Sequence, residues 1–337
     1  MNIFQYLGLP ENHRKSSNKV TQYVKHWDEV TDKHKNGKEF VTQIKKDGVC
    51  ALVVIDFGSA RIFSRTGKPF TNLYCMEKQV DELKLADGVY MGELWLPKSV
   101  CSLEELSGMV NPNRVKPLDE VQSNKLRMLK LSLFDTVDVS EFVAGYSAKT
   151  YLARYNILRA SYSEATFESP NSILNNWHPH IEVLVTTPAN QMSLDGSLER
   201  AIYYGEEGIV IRDPNADWEA GHKGWRVMKM VRGVDYDLEC VGYEEGTGKY
   251  KGKVANLIFK WKGGETIKCM LGKGWTHKDA SDMFAAIEFT NIDIRDKHPA
   301  DPRGEIFQVY ALEESSKGKL RLPKVGELRF DKAYGDV

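Results

Sequence analysis

Several things are scarce in this chain, and each scarcity excludes something. No stretch of its 337 residues approaches the ~20 consecutive apolar residues that cross a bilayer. Residues 1–14 carry charges but no apolar core of signal-peptide length, so a cytoplasmic protein without a signal peptide is expected. Cysteine is sparse: Cys50, Cys75, Cys101, Cys240 and Cys269 are odd in number and widely spaced. That spacing suits neither a disulfide framework nor a paired-cysteine zinc module, and reduced thiols are expected. Low-complexity runs and internal repeats are missing, and with 10% aromatic residues disorder is excluded as the dominant state.

What is present describes a globular chain, 42% hydrophobic and 28% charged, long enough for one large core and a smaller one. Net charge is only −1, but it is unevenly spread. Lysines 249, 251, 253, 260, 262, 268, 273 and 278 face a single acid, Glu265, in that interval. A near-neutral chain with one strongly positive segment carries the footprint expected for a polyanion, although a solvated strand face would have the same composition.

Phe40 to Ile44, Val49 to Asp56 and Ala60 to Ser64 are rich in β-branched residues and read as an antiparallel meander. A short helix is expected over Lys78 to Leu85, with strands at Val89 to Leu96, Lys130 to Phe134 and His180 to Thr186. Helical spacing marks Tyr151 to Ala160 and Leu198 to Tyr204, the second with Ser197 as a candidate cap. After Arg232 the texture becomes short alternating strands with Gly and Lys in the turns: Asp237 to Gly242, Val254 to Trp261, Glu265 to Met270 and Glu305 to Leu312. A helical insert at Ala280 to Phe289 completes the pattern of a small closed barrel of the oligonucleotide-binding (OB) type. Trp261 and Trp275 fall in this part, with at least one expected in the barrel core.

Lys45-Lys46-Asp47-Gly48 stands between two expected strands. A lysine held there can act as a nucleophile when its amine is neutral, which neighbouring positive charge or a metal favours. Alone the tetrapeptide reads better as a solvated Lys-Asp-Gly turn. It is followed in order by Ser64-Arg65-Thr66-Gly67, Gly92-Glu93-Leu94, Phe134-Asp135, Glu207-Gly208-Ile209-Val210-Ile211-Arg212, Trp225 to Lys229 and Arg329-Phe330-Asp331-Lys332. With these motifs in this order, the sequence from about Thr42 to Lys332 resembles the nucleotidyltransferase superfamily of ATP-dependent DNA ligases and mRNA capping enzymes. The likeness is greatest to the short ATP-dependent DNA ligases of bacteriophages.

The resemblance implies an α+β fold: a nucleotidyltransferase (ATP-grasp-like adenylation) domain with antiparallel sheets over residues 1–232, then an OB-fold DNA-binding barrel over 233–337. It implies that Lys45 attacks the α-phosphate of ATP and becomes lysyl-AMP. Gln43, with Ile44 beside it, would read the adenine edge, and Phe134 would stack on the adenine face. Glu93 would bond the ribose hydroxyl or sit near a metal, and Glu207 would place Mg²⁺. Arg65, Arg212 and Lys229 would contact phosphate, while Arg329 and Lys332 would orient pyrophosphate as the leaving group. Lys251, Lys253, Lys260, Lys262 and Lys273 would clamp duplex phosphates without regard to sequence. The implied cofactors are ATP and Mg²⁺, and the implied partner is nicked double-stranded DNA. The implied setting is a monomer in a bacterial or phage-infected cell, serving replication, repair or recombination.

The chain departs from the family pattern at three positions. Cys50 stands where many relatives carry an arginine, with Arg61 as a possible substitute. Val231 occupies the last lysine of the Lys-x-Lys element, and Arg212 replaces the lysine that closes the Glu-Gly strand. An RNA ligase or capping guanylyltransferase would share the lysine chemistry, and a non-catalytic single-strand-binding barrel would share the basic segment. Gln43 and the Arg329–Lys332 ending lean toward ATP and DNA. An NAD⁺-dependent ligase is the weakest alternative, because only 44 residues precede Lys45 and no cysteine cluster follows.

Overall fold

The computed structural model describes residues 1–14, 20–168, 178–272, 274–292, 297–315 and 318–337. Two compact units divide the chain at Val231/Arg232. No helix among the described residues is long and apolar enough to cross a membrane.

Among its described residues the first unit contains twelve strands: β1 Tyr23–His26, β2 Glu39–Lys45, β3 Val49–Asp56, β4 Ser59–Ser64, β5 Gly88–Trp95, β6 Lys130–Val137, β7 Tyr146–Ser147, β8 Ile181–Val183, β9 Thr187–Asn190, β10 Gly208–Arg212, β11 Trp218–Glu219 and β12 Lys223–Val231. Ten of them form two five-stranded sheets, ordered β1-β12-β10-β2-β9 and β4-β3-β5-β6-β8. Pairing is mostly antiparallel; the parallel exceptions are β1 on β12 and β8 on β6.

The meander expected from β2 through β4 does not form. β3 and β4 pair with each other, but β2 pairs with β9 and β10 in the other sheet. The three residues after Lys45 therefore carry the chain from one sheet to the next. Gly48 allows this passage: a Cβ there would lie 2.3 Å from the Leu94 carbonyl oxygen and 2.8 Å from Glu93 Cγ. Local alternation identified each strand but could not specify which partner it chose.

Side-chain parity then sorts the faces. In the first sheet Phe40, Ile209, Ile211 and Met228 enter one core, beneath the helix Leu194–Tyr203. Lys45, Gln43, Val210, Arg212 and Lys229 line the cavity described below. The second sheet is buried on both sides, which explains the near-continuous apolar run of β3. Ala51, Val53 and Ile55 face one core, and Leu52 and Val54 another. Helix Leu194–Tyr203 starts before the expected Ser197, whose hydroxyl instead donates to Ser193 O (2.9 Å) within the helix. The residues ahead of β2 also take part in the cores and sheets. Ile3–Tyr6 is held by a capping box on Asn2, Ile3 and Phe4 are buried in the second of those two cores, and β1 edges the first sheet.

The second unit is a barrel of β13 Val234–Glu245, β14 Val254–Lys260, β15 Thr266–Leu271, β16 Ile306–Ala311 and β17 Lys324–Leu328, closed in the order β13-β14-β15-β17-β16, with a helix at His277–Ile292. The fifth strand, β17, was not foreseen; it lies beside Pro323 and contains Gly326, both poor strand signals. Trp261 is buried in the core and Trp275 packs on it; each indole N–H donates to a carbonyl, of Gly318 and Gly326 respectively, at 2.7 Å.

Two expected outcomes follow from this packing. Gly48→Ala should destabilise the chain by about 1–3 kcal/mol in a urea titration, because the added methyl meets a carbonyl fixed in the β5 ladder. Burial pushes the thiols of Cys50, Cys240 and Cys269 up to about 12 and that of Cys101 up to about 11, whereas Cys75 is exposed. Native alkylation at about pH 8 should label Cys75 and spare the other four, as read by peptide mass spectrometry.

Candidate functional site

Lys45 ends β2 opposite Gly208, and its ammonium pairs with the Glu207 carboxylate. The next residue repeats the arrangement: Lys46 Nζ is 2.5 Å from Glu206 and lies 4.4 Å from the centre of the Trp95 ring. Glu207 N also donates to Lys45 O at 3.3 Å. Two adjacent acids before β10 thus fasten two adjacent lysines at the end of β2.

These residues open on a cavity of about 760 Å³ within the first unit. It brings together Gln43, Ile44, Lys45, Arg65, Glu93, Phe134, Arg212 and Lys229, gathered from both sheets. Glu207 borders it through the Lys45 pair. Thr21, Gln22, Tyr23, Val24 and Lys223 also line it, and sequence reasoning missed them. Their one available signal was the β-branched and aromatic content of residues 20–24.

Phe134 reaches the cavity through a β-bulge. Met91 pairs with Asp135 and Gly92 with Leu133, which leaves Phe134 as the extra residue of β6. The bulge changes the faces of the strand: Leu131 and Leu133 enter one core, while Val137 enters the other.

Arg212 does not project toward open solvent. It is buried, its guanidinium carbon stands 5.1 Å from the Phe134 ring centre and 4.7 Å from that of Tyr151, and its Nε donates to Gln43 Oε1 at 3.3 Å. Asp135 anchors this end, accepting two bonds from the buried Arg154 (2.9 and 3.1 Å) and lying 3.7 Å from Arg212. Gln43 Nε2 in turn donates to Leu184 O at 3.3 Å. Gln43, Phe134 and Arg212 thus form an aromatic, hydrogen-bonding end of the cavity.

The other end is electrostatic. Burial, reinforced by the Lys45 charge, holds the Lys229 ammonium below its usual range. The Arg65 guanidinium lies 5.8 Å from the Tyr23 ring centre. Burial pushes Glu93 up to about 8, with Glu207 adding to the shift and Lys45 opposing it. Glu93 lines the cavity and Glu207 borders it; both offer hard oxygen donors whose mutual repulsion a divalent cation would relieve, so they fit Mg²⁺. No cluster of three or more potential ligands occurs among the described residues, and phosphate oxygens would have to complete the shell.

Arg61 does not supply the charge missing at Cys50. It pairs with Glu77 at 3.1 Å and is not among the residues lining the cavity. Arg226, beside Lys229 in sequence, is engaged by Asp217 and Glu219 at 2.5 and 2.9 Å.

In the second unit, Arg329 donates to Asp237 (2.8 and 2.9 Å) and to Asp331 (2.9 Å), and Lys332 lies 3.2 Å from Asp237. Of the basic segment, Lys260 pairs with Glu239 (3.6 Å), Lys262 with Glu314 (2.6 Å) and Lys268 with Glu244 (2.8 Å). Lys251 is exposed and Lys253 partly so; Lys273 lies outside the described residues.

Comparison with known proteins agrees with this geometry. A family model described as "ATP dependent DNA ligase domain" matches residues 19–230, and one described as "DNA ligase OB-like domain" matches 245–329. The DNA ligase of Pyrobaculum neutrophilum is 26% identical over 283 residues, covering 79% of this chain and 44% of that protein. DNA ligase 2 of Korarchaeum cryptofilum is 31% identical over 121 residues, 33% of this chain and 20% of that one. The chain therefore spans less than half the length of these relatives. Among solved structures, Pmar-Lig_PreS3 superposes with a TM-score of 0.72 at 20% identity, covering 92% of this chain and 68% of that one. A structure described as "DNA binding with a minimal scaffold: Structure-function analysis of Lig E DNA ligases" reaches 0.65 at 17% identity, covering 92% and 98%. These two likenesses concern the fold. With the family model covering most of its first unit and the OB-like model most of its second, the chain belongs to the ATP-dependent DNA ligase family.

Proposed function

We propose that this chain seals nicks in duplex DNA, using ATP as the AMP donor and Lys45 as the nucleophile. The supporting observation is the convergence of Lys45, Glu207, Lys229, Arg65, Gln43 and Phe134 on one cavity of a ligase-family chain. Lys45 gives up a proton, for which the paired Glu207 carboxylate is in reach, and its lone pair attacks the α-phosphorus of ATP. The bond to the β-phosphate breaks and pyrophosphate departs. The 5′-phosphate of the nick then attacks the AMP phosphorus and displaces Lys45. Finally the 3′-hydroxyl attacks that 5′-phosphate and AMP leaves.

This reading gives each residue a part. Gln43 and Phe134 orient adenine, with Ile44 alongside. Arg65 and Lys229 offset phosphate charge, Lys229 with an ammonium already short of water. Arg212 backs the adenine end through Gln43 and Phe134. Glu93 and Glu207 would hold Mg²⁺, which when bound there supplies charge neutralisation for the phosphates. Arg329 and Lys332 are assigned to the leaving phosphates, in exchange for their carboxylate partners. Lys251 and Lys253 are the basic-segment lysines best placed for duplex phosphates, since no acid partner holds them among the described residues.

Mass spectrometry after incubation with Mg²⁺ and ATP, GTP or NAD⁺ in parallel should find AMP on Lys45 from ATP alone, and none with Lys45→Ala. A nucleotide taken from GTP, or no adduct at all, overturns the reading. Arg329→Ala should slow adenylation about tenfold or more while leaving the sealing of a pre-adenylated nick within about twofold. Equal loss in both steps would contradict the leaving-group assignment.

A further inference from the structure

The cavity's cations fall into two groups. Lys45, Lys46 and Arg212 each have a carboxylate partner, in Glu207, Glu206 and Asp135. Arg65, Lys223 and Lys229 line the same cavity and have no carboxylate within ion-pair distance among the described residues. Lys223 belongs to no motif considered above.

Its surroundings make it more than a surface lysine. Lys223 opens β12 and pairs in register with Tyr23 of β1, whose amide donates to His222 O at 2.8 Å. The ring of Tyr23 carries the Arg65 guanidinium. Arg65, Tyr23 and Lys223 therefore form one connected wall, and Lys229 lies further along the same strand. The positive field is crowded: Lys223 adds to the burial that holds both Lys229 and His26 below their ordinary ranges. Like charges gathered without acid partners are costly unless an anion joins them.

Other sources of cationic charge are already engaged or neutral. Cys50 presents a protonated thiol, Arg61 is held by Glu77, and Arg329 and Lys332 share Asp237. Lys223 is exposed where it lines the cavity, so its ammonium can reach a ligand on a flexible stem.

We infer that Lys223 is a phosphate-binding residue of this cavity, completing with Arg65 and Lys229 a three-cation cradle for terminal phosphate groups. Two sources present that chemistry: the polyphosphate end of ATP and the 5′-phosphate of the acceptor strand. The inference takes its substrates from the ligase reading, but its binding chemistry can be tested apart from it.

The test uses the full chain, Lys223→Met to keep the stem and Lys223→Arg to restore the charge, with thermal melts to confirm that both fold. Inorganic tripolyphosphate, titrated by calorimetry, should bind Lys223→Met about tenfold more weakly than the parent, and Lys223→Arg within about twofold. A second arm measures the ATP concentration for half-maximal adenylation of Lys45. The third measures AMP transfer from adenylated protein to a 5′-phosphorylated nick. A shift confined to the second arm assigns Lys223 to the polyphosphate, and one confined to the third assigns it to the acceptor phosphate. Values within about twofold of the parent in all three arms overturn the inference. If the parent never gains AMP yet its tripolyphosphate binding depends on Lys223, the ligase reading fails and the cradle stands.

Discussion

Lys45 is the last residue of a strand in one sheet and Val49 the first of a strand in the other, with three residues between them. This short passage between sheets sets the geometry of everything around it. Both flanking strands are tied into ladders, so the backbone at Lys45 has little freedom. Gly48 lies so close to the β5 backbone that no side chain fits there, and the paired acids of Glu206-Glu207 hold the two lysines from the opposite strand. A lysine positioned in this way presents its amine without ordering a loop, an entropic advantage for the nucleophilic role proposed for it.

Charge in the molecule is organised by pairing more than by composition. Asp135 neutralises the buried guanidinium of Arg154 and lies beside that of Arg212, so the Gln43–Phe134–Arg212 end of the cavity sets one carboxylate against two guanidiniums. At the other end Arg65, Lys223 and Lys229 have no ion-pair partner among the described residues. In the barrel the apparent run of lysines is partly neutralised by Glu239, Glu244 and Glu314. These acids lie outside the lysine-rich interval, so the segment is less positive in three dimensions than along the chain.

Much of this was legible from residue order. The strand-forming character of Phe40 to Ser64, the helix near residue 80, four barrel strands and the motifs from Lys45 to Lys229 were all visible. The unseen parts depend on long-range choices. Sheet membership cannot be read from alternation, so a crossing between sheets looked like a meander. The edge strand at Tyr23–His26 is four half-buried residues with no alternation to announce it. Arg61 looked available for phosphate because its partner, Glu77, comes from a helix sixteen residues away. Lys223 and Tyr23 gained meaning only when a parallel pairing joined residues two hundred apart.

The single extra residue at Phe134 deserves a last consequence. Because the strand reverses its faces there, Leu131 and Leu133 point into one core while Val137, farther along, points into the other. Removing one amino acid from this stretch would undo the reversal for whatever followed it. Asp135 would exchange places with an apolar neighbour, and the aromatic ring would turn away from the cavity. Along most of the polypeptide, evolution can vary side chains while leaving the spacing free to drift; at this kink the spacing itself is the constrained character, and lineages should tolerate many substitutions there before they tolerate one deletion.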